Sequence, residues 1–269
     1  MLFRSCPRVN LLFFGSTSRQ LFGAYHTPPA TIAGRGAALL CPPWGQEYLV
    51  SHRIFRRLAV RLSESGYHVL RFDYFGTGDS AGERDEGDLS TWQEDATVAL
   101  EELRDMSGFA TVATFGIRLG SVVAWRLASM RPDVHTTVLW DPVVNGTEYV
   151  RELHAAQAET DRWSLTPVRR TVSAQGVQDL LGFPLTTAMR HSIESVGSDT
   201  FTQPTKAHVK LFYSDTRPGQ AALHDALHAA GTPFHTEIVP GQTPWREDEG
   251  IGAGKLPVLV LERMVEILR

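Results

Sequence analysis

Gly116-Ile117-Arg118-Leu119-Gly120 follows a short apolar stretch, Thr111 to Phe115, and opens a helical one through Ser121-Val122-Val123-Ala124-Trp125. Strand, glycine-bracketed turn and helix in that order form the sharp turn on which a G-x-S-x-G sequence exposes a serine nucleophile. Here the central residue is Arg118, whose guanidinium stays charged at neutral pH and is not a nucleophile. At a helix N-terminus its five donors suit a two-point grip on a carboxylate or phosphate. The same group could instead close an internal ion pair with Asp215, Asp141 or Glu47.

A serine relay also needs a base in reach of the nucleophile and an acid to orient that base. Asp215, after the apolar run His208 to Tyr213, and Asp141, at the end of Thr136 to Trp140, are the candidate catalytic carboxylates. Either reads equally as a loop carboxylate that caps or turns. Among substitute nucleophiles, Ser121 lies about one turn into the helix, where its hydroxyl is expected to face backbone. Cys41 closes an apolar run and has no identified base, which favours a buried thiol. Trp44, Trp140 and Trp245 fall in three loops and could line a ligand slot, with core packing as the ordinary alternative.

Around these residues the chain alternates strand-like and helix-like segments. Residues 12–26 suit an antiparallel hairpin. Ala37 to Cys41, His68 to Phe72, Thr111 to Phe115, Thr136 to Trp140, His208 to Tyr213 and Phe234 to Val239 read as strands. Helices are expected from a cap at Ser51 to Gly66, from a capping box at Thr91 to Glu94, over Arg118 to Met130, over Gln220 to Ala230, and over Leu256 to Leu268. This order implies an α/β fold with a mostly parallel sheet covered on both faces. Between Val143 and Pro204 the alternation breaks into pieces such as Glu148 to Ala158 and Leu185 to Val196. That length is too great for a connection, so residues 143–204 are expected to form an inserted helical cap on one domain spanning residues 1–269. Ligands in such sheets bind beyond the strands' carboxyl ends.

Composition narrows the partners. The chain has 269 residues, a net charge of −4 with acids and bases interspersed, and two cysteines, Cys6 and Cys41. There is no basic field for nucleic acid, no disulfide framework, and no apolar run long enough to span a bilayer. The expectation is a cytoplasmic protein handling a small acyl-bearing or anionic ligand, with no cofactor or metal called for and the oligomeric state open.

Several loops together resemble the α/β-hydrolase fold. Pro42-Pro43-Trp44-Gly45 stands where the oxyanion loop is expected, Phe72-Asp73-Tyr74-Phe75-Gly76-Thr77-Gly78-Asp79-Ser80 resembles the D-x-x-G-x-G-x-S turn, and Gly116 to Gly120 stands at the elbow. A narrower likeness rests on Phe14-Gly15 through Arg19-Gln20-Leu21-Phe22-Gly23, on Gly116 to Gly120, on Leu139-Trp140-Asp141-Pro142-Val143-Val144-Asn145-Gly146, and on Val239-Pro240-Gly241 with Trp245. These stretches resemble the second of two hydrolase types associated with exosortase A gene clusters, where arginine is also the expected elbow residue. The resemblance implies a triad histidine after Pro240-Gly241, yet Gln242-Thr243-Pro244-Trp245 cannot accept a proton, and all ten histidines precede Gly241. His235 reads as an ordinary strand residue, and Ser80 as the structural end of its turn.

Three readings stay open. One is a hydrolase or acyl-transfer enzyme with a rearranged site, using Asp215 or Asp141 with Arg118, Trp44, Gly45, Glu47 and Trp245 around the ligand. Another is a catalytically inactive ligand-binding pseudohydrolase. The third is a lyase or cyclase in which Arg118 stabilises an oxyanion.

Overall fold

The computed structural model describes residues 8–162, 176–217, 219–240 and 257–268. β1 (Arg8–Ser16) and β2 (Arg19–Thr27) pair antiparallel around Thr17 and Ser18, in the place expected for a hairpin. The chain continues through β3 (Gly36–Cys41), α1 (Gln46–Glu64), β4 (Tyr67–Phe72), α2 (Leu89–Ser107), β5 (Val112–Ile117), α3 (Gly120–Met130) and β6 (Val134–Trp140). Next come α4 (Gly146–Arg162), a short antiparallel pair β7 (Gln178–Leu180) and β8 (Phe183–Leu185), α5 (Thr187–Glu194) and a 3-10 turn, Ser198–Phe201. The alternation then resumes with β9 (His208–Tyr213), α6 (Gln220–Ala229), β10 (Phe234–Ile238) and α7 (Val258–Glu266).

Eight strands form one sheet in the order β1-β2-β4-β3-β5-β6-β9-β10, parallel from β4 to β10. All six residues of β3 and of β5 are buried, as expected for strands covered on both faces. One face carries Leu39, Leu70 and Phe72 against α2 and α3, with Leu100 and Trp125 at the contact. The other carries Leu40, Val69 and Phe115 against α1 and α7, where Leu58, Leu62 and Met264 pack. Each such aliphatic or aromatic side chain contributes about 1.5–3 kcal/mol on burial. No described helix is long and apolar enough to cross a membrane.

Most elements differ from the sequence reading by a few residues at an end, and three differences concern how a helix or strand begins or ends at a turn. α1 begins at Gln46, five residues before Ser51, because Gly45 turns the chain with φ 67° and the helix starts at once. Ser51 sits inside that helix and donates to the Tyr48 carbonyl at 3.0 Å. The capping box of α2 is Asp88 with Thr91, not Thr91 with Glu94: the Asp88 carboxylate accepts from Ser90 N and Thr91 N, and Thr91 Oγ1 accepts from Asp88 N. β5 runs on to Ile117, so Gly116 and Ile117 pair with Leu139 and Trp140, and the following helix starts at Gly120 rather than Arg118.

Candidate functional site

The turn between β5 and α3 holds Arg118 at φ 51°, in the left-handed region that side chains other than glycine's rarely adopt. Such a conformation costs on the order of 1–3 kcal/mol and persists only where the surroundings enforce it. The flanking glycines make it possible. A Cβ on Gly116 would meet the Gly120 carbonyl oxygen at 2.5 Å, and one on Gly120 would meet the Cys41 carbonyl oxygen at 2.3 Å. Arg118 N donates to the Trp140 carbonyl (3.0 Å), and Ser121 N donates to the Arg118 carbonyl (3.0 Å). The geometry of a nucleophile elbow is therefore present with an arginine at its apex.

The Arg118 side chain is 5 % exposed and held on several sides. Nε donates to Glu47 Oε1 at 2.8 Å, Nη2 to Glu152 Oε2 at 2.6 Å, and Nη1 to the Asp141 carbonyl at 3.5 Å. Its guanidinium carbon lies 5.1 Å from the centre of the Tyr149 ring, and the Tyr149 hydroxyl donates to Glu47 Oε2 at 2.8 Å. Burial by itself would favour the neutral arginine. Glu47, Tyr149 and Glu152 outweigh it and hold the group above its ordinary value, so Arg118 is a permanent cation. Burial, reinforced by Glu47, pushes the Tyr149 hydroxyl far up, so it remains a donor.

Of the three partners expected for Arg118, Glu47 supplies a carboxylate, Asp141 supplies only its backbone carbonyl, and Asp215 is not among the partners. Tyr149 and Glu152 were missed by sequence reasoning. They stand three apart on α4, a spacing that puts both on one helix face. The same Glu152 oxygen lies 4.0 Å from Arg217 Nη1, which extends the network to the loop after β9.

Asp141, at the end of β6, is fully buried and adopts φ 43°. Its Oδ1 accepts from Ser214 N at 2.9 Å and lies 3.4 Å from Arg217 Nε. Burial raises its pKa above the usual carboxylate range, with Arg217 and the Ser214 N–H opposing that shift. Oδ2 has no hydrogen-bond partner among the described residues. Asp215 is exposed, and its carboxylate accepts from Thr216 N at 2.7 Å in a local turn.

Trp44 is buried in the core, its ring 6.2 Å from that of Phe183 on β8. Trp140 is fully buried and donates from Nε1 to Ser214 Oγ at 2.8 Å, so it packs rather than lining an open slot. Gly45 is the residue before α1, and Trp245 lies outside the described residues. Ser121 is buried, but among the described residues its hydroxyl makes no hydrogen bond, to backbone or otherwise. Cys41 is buried, and desolvation pushes its thiol well up, away from nucleophilic use. His235 stands exposed within β10. Ser80 ties its turn together by donating to the Asp73 carbonyl (2.6 Å) and accepting from Phe22 N (2.8 Å).

Comparison with known proteins bears on the fold and the family. Over the whole fold the chain is similar to a monoglyceride lipase from Saccharomyces cerevisiae, with TM-score 0.66, 14% identity, and 99% of this chain and 96% of that one covered. It is similar to Est1E from Butyrivibrio proteoclasticus, solved with ferulic acid, at TM-score 0.63 and 13% identity, covering 96% of this chain and 97% of that one. A hypothetical protein from Pseudomonas aeruginosa gives TM-score 0.66 and 15% identity, with 97% and 93% covered. At these identities the likeness establishes the α/β-hydrolase fold. Over 99 residues the chain is 37% identical to Protein ABHD12B of Homo sapiens, which is 35% of this chain and about a quarter (26%) of that protein's length. The family model for serine aminopeptidase, S33 (Hydrolase_4), matches residues 50–236, a stretch that includes the elbow, Asp141 and Asp215. The chain belongs to that hydrolase family.

Proposed function

We propose that this chain is a pseudohydrolase: a hydrolase-family protein that does not turn over esters by a Ser-His-Asp relay, and whose elbow residue serves as a clamp. The observation that carries this reading is the pairing of Arg118, whose donors are directed to Glu47, Glu152 and the Asp141 carbonyl. A guanidinium so engaged is a poor receptor for an incoming anion, because a ligand would have to displace two carboxylates in a site with little solvent. In this reading residues 143–204 act as a cap on a single domain, and Arg118 fastens that cap to the sheet through α4. The arginine elbow and the missing histidine after Gly241 support kinship with the second exosortase A-associated hydrolase type. The composition supports a cytoplasmic protein with a small acyl-bearing or anionic ligand.

A second reading is favoured by Asp141. A buried carboxyl group in a strained backbone position, with one oxygen lacking a partner among the described residues, is the kind of group enzymes retain for proton transfer. It would support hydrolysis or acyl transfer on a small ester through a rearranged site. Incubation with a fluorophosphonate probe and with short- and medium-chain p-nitrophenyl esters and acyl thioesters separates the two. The pseudohydrolase reading expects no covalent labelling and no turnover above that of denatured protein, in both the wild type and Arg118→Ser. Turnover abolished by Asp141→Asn, with the fold intact, would overturn it in favour of the second reading.

A further inference from the structure

Away from the elbow, α1 and the β1-β2-β4 edge of the sheet enclose a cavity of about 400 Å³. This volume is within the usual range of small-molecule sites, roughly 300–1,000 Å³. The first turn of α1 separates the two places: Glu47 reaches Arg118, while the next residue, Tyr48, donates to Asp73 Oδ1 at 2.7 Å beside the cavity. None of the cavity's lining residues is a partner of Arg118.

The polar inventory of the cavity is dominated by donors. Arg71 donates from Nε to His26 Nε2 at 3.2 Å, and its two terminal nitrogens make no hydrogen bond among the described residues. Because His26 Nε2 accepts that bond, the ring carries its proton on Nδ1. His26 is 1 % exposed, and Nδ1 has no partner among the described residues, so a buried N–H is left unsatisfied. Arg56 and His52, both exposed on α1, stand on the same wall. The one inward carboxylate, Asp73, is already satisfied, with Oδ1 on Tyr48 and Oδ2 accepting from Asp79 N at 3.0 Å. Asp79 itself is exposed.

The remaining lining is apolar. Phe22 and Phe55 line the cavity together with Val9 and Leu11, which are 45% and 68% exposed on the edge strand. A wall on which Arg71 keeps two terminal nitrogens without a hydrogen bond among the described residues and Arg56 is exposed, joined to an apolar rim, matches a ligand with an anionic acceptor head and a short hydrocarbon body.

We propose that this cavity is a binding site for an amphipathic carboxylate or phosphate monoester, its head held by Arg71 and Arg56 and its chain lying along Val9, Leu11 and Phe55. Charge-assisted contacts from two guanidinium groups fix the head, and the apolar rim selects against a bare ion.

Titration calorimetry on the full chain tests it with octanoate, octyl phosphate, octanol and inorganic phosphate. One-to-one binding of octanoate or octyl phosphate is expected, and the stronger of the two identifies the head group. Inorganic phosphate should bind at least about tenfold more weakly, and Arg71→Gln and Arg56→Ala should each weaken the amphiphile about tenfold. Arg56 is exposed on a helix, so its variant keeps the test decisive even where Arg71→Gln fails to fold. Octanol binding as tightly as octanoate, unchanged affinity in Arg56→Ala, or no binding at millimolar ligand would each overturn the proposal. These outcomes are independent of ester turnover, since no residue varied here touches the elbow.

Discussion

Arg118 draws its partners from three elements: Glu47 from α1, Tyr149 and Glu152 from α4, and a carbonyl from the end of β6. Glu47 is the partner most committed to it, because its side chain is only 10% exposed and its other oxygen is taken by Tyr149. Arg118→Met would leave that carboxylate buried without its cation, and such a loss typically costs about 3–5 kcal/mol. Urea denaturation should register a destabilisation of that order, and Glu47→Gln in the same chain should restore part of it. A single-variant loss below about 1 kcal/mol would contradict the clamp, since only an exposed pair is worth so little. At this scale the sequence named Glu47 as one of three candidates. It did not name Glu152, whose distance from Arg118 along the chain is closed only by the path of α4.

α4 is the element through which the clamp acts, and its placement depends on one glycine at its start. Gly146 N donates to the Val196 carbonyl at 2.8 Å, and a Cβ at Gly146 would come within 1.6 Å of the Ile193 carbonyl oxygen at the end of α5. Gly146→Ala must therefore push α4 and α5 apart, at a cost of about 1–3 kcal/mol. Native-state amide exchange should quicken first in α4, with β5 and β6 keeping their protection. Equal acceleration in the central strands would show that the 143–204 segment does not loosen as a unit. Strands were the elements easiest to read, because burial on both faces forces unbroken apolar runs such as Ala37 to Cys41. The start of α1 was hidden, because Gln46, Glu47 and Tyr48 carry no apolar periodicity and the turn at Gly45 is set by the loop's packing.

Across the whole molecule, buried titratable groups make stability depend on pH. His26 is pushed down from 6.5 to about 4 by burial, with Arg71 and Arg56 adding to the effect. Between those values the unfolded chain takes up a proton that the folded one refuses. The contribution of His26 is thus intact above pH 6.5 and lost as pH falls towards 4, by at most about 3 kcal/mol. Asp73, Asp95 and Asp141 run the other way: burial raises each, so their penalty grows as pH rises through their folded values. Comparing wild type with His26→Gln isolates the histidine, and the difference in unfolding free energy between them should change with pH over this window. A difference that stays flat from pH 6.5 to 4 would mean that His26 is not held neutral in the fold.

The sequence by itself determined the α/β alternation, the hairpin, the arginine at the elbow and the absence of a histidine after Gly241, because these depend on residue type and short-range period. The tertiary structure alone decided what Arg118 touches. Whether a guanidinium at a helix start meets a ligand or an internal carboxylate depends on where α1 and α4 bring Glu47 and Glu152, and local spacing carries no record of that approach. The cavity beside His26 was equally hidden, since Val9, His26, Arg56 and Arg71 come from four separate elements. Burial, not residue type, leaves the His26 N–H without a partner among the described residues.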